Sequence, residues 1–114
     1  MPTRTICFSP DGALLYSGSD DRHISLFDTN SGQVVNSFSH AGGVLSVDAS
    51  SDGRSFVAGC ADHSVTFWDL GMQSHTGKHD SQHKDQVWGV RYNETGTKCV
   101  SVGEDGVVQF YKAR

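Results

Sequence analysis

Several things are scarce in this chain of 114 residues, and each scarcity narrows what it can be. No apolar run exceeds four residues, so no stretch resembles a membrane-spanning helix or the core of a secretory signal. Proline occurs only at Pro2 and Pro10, which argues against a proline-rich or collagen-like chain. Positive charge is short: 9 Lys and Arg against 13 Asp and Glu, for a net charge of −4. Phosphate binding needs a basic face, so nucleic acid is not expected as the main partner. The three cysteines, Cys7, Cys60 and Cys99, are widely spaced and form no C-x-x-C pair. Neither a disulfide framework nor a cysteine-rich zinc site fits that spacing; each reads as a reduced, buried strand residue of an intracellular protein. Helical periodicity is also missing, because no window keeps the i, i+3, i+4, i+7 pattern for two turns.

What the chain has in excess is glycine, 13 residues, above the usual share of about 7%. Glycine without proline points to many tight turns. The turns recur: Ser9-Pro10-Asp11-Gly12, Ser51-Asp52-Gly53 and Asn93-Glu94-Thr95-Gly96 each separate two hydrophobic runs. Asp21, Asp62 and Asp105 follow at separations of 41 and 43 residues, and Phe27-Asp28, Trp68-Asp69 and Tyr111-Lys112 keep the same separations. His40 and His83 are 43 apart as well. Within each unit the apolar residues alternate, the period of a strand. The expected strands are 5–8, 14–18, 24–28 and 34–38; then 44–49, 55–60, 64–69 and a degraded polar stretch from 71 to 82; then 87–92, 98–102 and 107–111. Four short strands per ~40–45 residues is the blade period of a β-propeller.

The marker residues resemble those of the WD-repeat family. That family places a histidine before the first strand, an aspartate in the turn between the second and third, and Trp-Asp at the end of the third. Here they stand as His40, Asp62 and Trp68-Asp69, then His83, Asp105 and Tyr111. The resemblance implies an all-β fold: a partial propeller of about three four-stranded antiparallel blades, the last lacking its outer strand. Its units run approximately over 1–39, 40–82 and 83–114. The last unit, from His83-Lys84-Asp85-Gln86-Val87-Trp88 to Ser101-Val102-Gly103-Glu104-Asp105, is most similar to the branch of the family serving the superkiller (Ski) complex and the RNA polymerase II-associated Paf complex. Members of that kind close about seven blades into a ring. The chain is therefore expected to match the C-terminal blades of a longer protein, with uncovered apolar faces at both ends.

In the family a strand-two hydroxyl, the turn aspartate, the histidine and the tryptophan form a buried hydrogen-bonded tetrad. Carried over by position, unit one offers Ser17, Asp21 and Phe27 without a preceding histidine. Unit two offers His40, Asp62 and Trp68, with Ala58 where the hydroxyl belongs. Unit three offers His83, Ser101 and Asp105, with Tyr111 in place of tryptophan. No unit carries all four residue types, yet a carboxylate facing an imidazole would still tie loop to turn in units two and three.

Ser101, His83 and Asp105 are also the residue types of a hydrolase triad. A nucleophilic serine sits on an exposed, strained turn, whereas Ser101 lies mid-strand in Cys99-Val100-Ser101-Val102, so no catalytic residue is assigned. His75, His79 and His83 are spaced by four, but the glycine and small polar residues around them are poor helix formers. No metal ligand is assigned either, and no cofactor is expected. The stretch from Gly71 to Lys78 has one residue too many between its glycines for a phosphate loop, and lacks the hydroxyl that such a loop needs.

Trp88 aligns with Leu45 and Arg4 at the head of the first strand of each unit. It is either packing between neighbouring blades or a contact anchor, since aromatic residues dominate interface hot spots. Lys84, Asp85 and Gln86 lead into its strand, and Asp20, Ala61 and Glu104 should open onto the same rim. These residues form the candidate partner surface. By the resemblance the partners are proteins, namely other Ski and Paf subunits, with cytoplasmic and nuclear localisation. No direct nucleic acid contact, no membrane and no small-molecule substrate are expected.

Overall fold

The computed structural model describes residues 3–40, 42–70, 74–79 and 83–112. Residues 80–82, where the boundary between the second and third units falls, lie outside the described residues. The described residues hold eleven strands and no helix: β1 (Thr3–Phe8), β2 (Leu14–Ser19), β3 (His23–Asp28), β4 (Val34–Ser39), β5 (Val44–Ala49), β6 (Ser55–Cys60), β7 (Val65–Asp69), β8 (Ser74–His79), β9 (Val87–Tyr92), β10 (Lys98–Gly103) and β11 (Val108–Lys112). They form three antiparallel sheets, β1-β2-β3-β4, β5-β6-β7-β8 and β9-β10-β11. The chain is a partial propeller of three blades, the third with three strands.

Two kinds of turn repeat with the blades. Between first and second strands, the carboxylate of Asp11 accepts from Ser9 Oγ at 2.7 Å and from Ala13 N at 3.0 Å. Asp52 does the same with Ser50 Oγ at 2.5 Å and Arg54 N at 3.0 Å. In the third blade Asn93 Oδ1 accepts from Thr97 N at 3.0 Å and Lys98 N at 3.1 Å. Each turn passes through a glycine with positive φ, at Gly12, Gly53 and Gly96, the conformation that L side chains disfavour.

Between second and third strands, Asp21, Asp62 and Asp105 each accept the backbone N–H two residues on, from His23 (3.1 Å), Ser64 (3.2 Å) and Val107 (3.1 Å). This is an Asx turn, and it holds the intervening residue left-handed. That residue is Gly106 in blade three (φ 76°), but Arg22 (φ 72°) and His63 (φ 66°) in the other two.

The core lies between blades. Tyr16, Ile24, Leu26 and Phe38 of blade one pack onto Val44, Val47, Phe56, Ala58, Cys60 and Trp68 of blade two. Tyr16 and Phe38 meet Phe56 with ring centroids 5.2 and 5.4 Å apart. The second seam joins Val57 and Val65 to Val87, Val90, Cys99 and Tyr111. Alternation explains the division: odd and even strand positions point to opposite faces of a sheet, so blade two gives Phe56 and Ala58 to one seam and Val57 to the other. Burial pushes the Cys60 and Cys99 thiols up to about 12, so both pack as neutral hydrophobes. Cys7 differs from the buried position expected for it and is half-buried.

The outer faces of the first and third blades are apolar and exposed. Ile6 is 65% and Phe8 60% accessible at one end, and Phe110 70% at the other, with Val102 and Val108 beside it. A hollow of about 360 Å³ between Trp88, Arg91, Val100 and Val102 opens on the third blade. Apolar faces of this kind ordinarily mark interaction surfaces.

Candidate functional site

The structure brings four side chains of the third blade together. His83, on the loop before β9, is 2% exposed. Its Nδ1 faces both carboxylate oxygens of Asp105 at 3.2 and 3.3 Å. Its Nε2 lies 2.6 Å from Ser101 Oγ, which in turn is 3.0 Å from the Tyr111 hydroxyl. Tyr111 thus fills the place left by tryptophan through its hydroxyl, and the line Asp105–His83–Ser101–Tyr111 is continuous. Asp105 Oδ2 also accepts the backbone N–H of Lys84 at 2.9 Å. That bond, the one from Val107, and His83 together draw the Asp105 carboxyl down to about 2. Gly103 makes the approach possible: a Cβ there would stand 2.9 Å from His83 Nδ1 and 3.0 Å from Asp105 Oδ1. Ser101 is fully buried mid-strand.

Blade two meets the same need differently. With Ala58 in the hydroxyl position, the Trp68 indole N–H donates directly to His40 Nε2 at 2.9 Å, and the two rings lie 5.1 Å apart. Asp62 accepts from Ser64, by its Oγ at 2.6 Å as well as its N–H. In blade one, Asp21 accepts from Ser19 Oγ and His23 N. Ser17 lies on the opposite face from Tyr16 and is half-buried, on the uncovered side of the blade. His79 packs against the rings of Tyr111 and Phe67 at 4.8 and 5.8 Å, while the His75 side chain lies outside the described residues. Among the described residues no three His, Cys, Asp or Glu groups converge on a point.

At the rim, the Trp88 indole N–H donates to Glu104 Oε2 at 2.7 Å, and the ring is 50% exposed. Asp85 and Lys84 beside it are exposed and Gln86 is half-buried. The equivalent positions in blade one hold Arg4 and Asp20, joined by guanidinium hydrogen bonds of 3.0, 3.0 and 2.8 Å. Sequence reasoning aligned Arg4 with Trp88 and Asp20 with Glu104 but did not pair them. The signal was available: both pairs are separated by 16 residues, the spacing that antiparallel pairing of first and second strands brings face to face. It also missed Asp48, whose Oδ2 accepts Tyr92 N at 2.8 Å, and Ser46, whose Oγ accepts Val90 N at 3.2 Å. These two side chains tie the first strand of blade two to that of blade three.

Three stacked antiparallel blades, with an Asp–His–Ser line and a Trp–His pair between loop and strand, define a propeller of the WD type. The chain belongs to the WD40 family (WD domain, G-beta repeat), which matches residues 3–28, 32–69 and 74–112. It is 43% identical over 112 residues to WD repeat-containing protein SL1-17 of Schistosoma mansoni, covering 97% of this chain and 37% of that protein. The LEC14B homolog of Prunus armeniaca is 31% identical over 96 residues, 79% of this chain and 20% of the relative. U3 small nucleolar RNA-associated protein 12 of Saccharomyces cerevisiae is 33% identical over 72 residues, 61% of this chain and 8% of the relative. The chain therefore spans well under half the length of these relatives.

Proposed function

We propose that this chain forms part of a non-catalytic protein-interaction scaffold, and that its rim at Trp88, Glu104, Lys84, Asp85, Gln86 and Asp20 carries the contacts. The observation behind this reading is Trp88, a large aromatic left half-exposed while its N–H is held by Glu104. A pre-oriented aromatic loses little conformational freedom on binding, which suits a contact anchor. WD40 domains in general mediate protein–protein contacts, and the acidic net charge of −4 fits a protein partner better than a nucleic acid.

The proposed assemblies are the Ski complex, which feeds RNA to the cytoplasmic exosome, and the nuclear Paf complex in transcription elongation. The support is the resemblance of the last unit, His83 to Asp105, to that branch of the family. Cytoplasmic and nuclear localisation is proposed on the same ground. Affinity purification with mass spectrometry of the intact polypeptide tests it: Ski and Paf subunits should accompany the wild type and fall away with Trp88→Ala. Absence of both sets from the wild-type sample overturns the assignment. The second reading, an adaptor of a different complex, is favoured by the spread of relatives, one of them bearing a name tied to U3 small nucleolar RNA. A reproducible set of other partners, lost with Trp88→Ala, would establish it.

A further inference from the structure

Position for position, the rim of blade three has the same layout as that of blade one, with one exchange. In blade one the carboxylate at the end of β2, Asp20, receives a guanidinium from the head of β1 through both of its oxygens. In blade three the corresponding carboxylate, Glu104, receives, among the described residues, only the indole N–H of Trp88 on Oε2. Among the described residues Glu104 Oε1 accepts no hydrogen bond. Blade one thus joins its carboxylate to its own guanidinium, whereas in blade three, among the described residues, the carboxylate holds an aromatic ring and no guanidinium. In blade two the two positions are Leu45 and Ala61, so the feature is confined to blade three on its side of the rim.

We infer that the Trp88–Glu104 pair receives a basic side chain, arginine or lysine, from a protein partner. The cation lies over the indole face and donates to the open oxygen of Glu104. The indole is the best of the aromatic faces for a cation. Fixing its N–H on a carboxylate orients the ring and adds negative charge beside it. Asp85, exposed on the adjoining loop, adds a second carboxylate to the same neighbourhood. Lys84 is exposed on the same loop, and Arg91 lines the same hollow as Trp88 with its guanidinium donating to the Val90 carbonyl at 2.8 Å; among the described residues neither cation is hydrogen-bonded to Glu104. An arginine fits better than a lysine because its planar guanidinium can stack on the ring and reach the carboxylate together.

This inference rests on the reading of the rim as a protein-docking surface, and the experiment separates the two. Fluorescein-labelled octapeptides of glycine and serine with one central arginine, lysine or citrulline are titrated against the intact polypeptide by anisotropy. Arginine should bind about tenfold more tightly than citrulline, from a cation–π contact plus an exposed ion pair. Glu104→Gln should weaken the arginine probe about threefold, and Trp88→Ala should abolish the preference over citrulline. Equal binding of arginine and citrulline, or no effect of Glu104→Gln, overturns the inference. Unchanged thermal melting of Glu104→Gln and Trp88→Ala shows that any loss is not unfolding. In the affinity purification, partners lost with Trp88→Ala but retained at full strength with Glu104→Gln overturn the basic side chain and leave the docking rim standing. Partners retained with both overturn both.

Discussion

Val87 closes over Gly59 so tightly that a Cβ at residue 59 would stand 2.7 Å from Val87 Cγ1. The same knob and hole recur one blade earlier, where Val44 Cγ1 would be 2.5 Å from a Cβ on Gly18. At both seams the valine at the head of a first strand fills the space above a second-strand glycine in the preceding blade. The blades are thereby locked in register as well as pressed together.

Gly59→Ala should therefore cost about 1–3 kcal/mol, the usual penalty of an overpacked core. Chemical denaturation measures it. In a Val87→Ala background the same change should cost about 1 kcal/mol less, because the obstructing methyl is gone. Equal penalties in both backgrounds would show that the contact does not limit the seam.

Ser101→Ala should destabilise by about 1–3 kcal/mol. The hydroxyl bridges His83 Nε2 and Tyr111 OH inside a fully buried site, and alanine leaves both polar groups with one partner fewer. The affected region should be local, with faster amide exchange in β10 and β11 than in blade one.

Asp105 ties stability to acid pH. Its carboxyl sits at about 2 in the folded chain, against an ordinary value of 3.8, chiefly because the Lys84 N–H donates to it. A group depressed on folding contributes stability that is complete above the unfolded value and lost as pH falls through the folded one. The contribution is thus intact above about pH 4 and disappears between about pH 4 and pH 2. Asp105→Asn should flatten the acid limb of the stability profile in that window, as urea midpoints measured from pH 2 to pH 6 would reveal.

His63 is exposed and left-handed, with φ 66°, a conformation that costs an L residue roughly 1–2 kcal/mol. His63→Gly relieves the strain but loosens the unfolded chain, for a net gain of about 0.5 kcal/mol. The midpoint should rise with an unchanged denaturant slope. A fall would mean that the Asx turn of Asp62 already removes the strain.

Much of this fold is written locally. Alternation in most runs, and turn sequences such as Ser9-Pro10-Asp11-Gly12, carry the strand ends to within a residue or two. The spacing of Asp21, Asp62 and Asp105 carries the number of blades. The site was less legible. Tyr111 looked like a broken tetrad, because its hydroxyl reaches Ser101 only when β11 pairs with β10 in the register that sets Cys99 opposite Tyr111. Ser17 looked equivalent to Ser101, but it faces the uncovered side of blade one, where no histidine precedes the unit.

The amino-acid order by itself determined the class of structure: side-chain period decides strand faces, and Asx and glycine turns decide where strands reverse. Only the tertiary structure decided which polar groups meet. Asp48 with the Tyr92 N–H, Ser46 with the Val90 N–H, and Ser101 with the Tyr111 hydroxyl are brought together by stacking of sheets and pairing of strands. Trp88 and Glu104 meet by strand pairing, and their exposure depends on what covers the third blade. Contacts between blades depend on distances across a seam, and no local pattern along the chain encodes those.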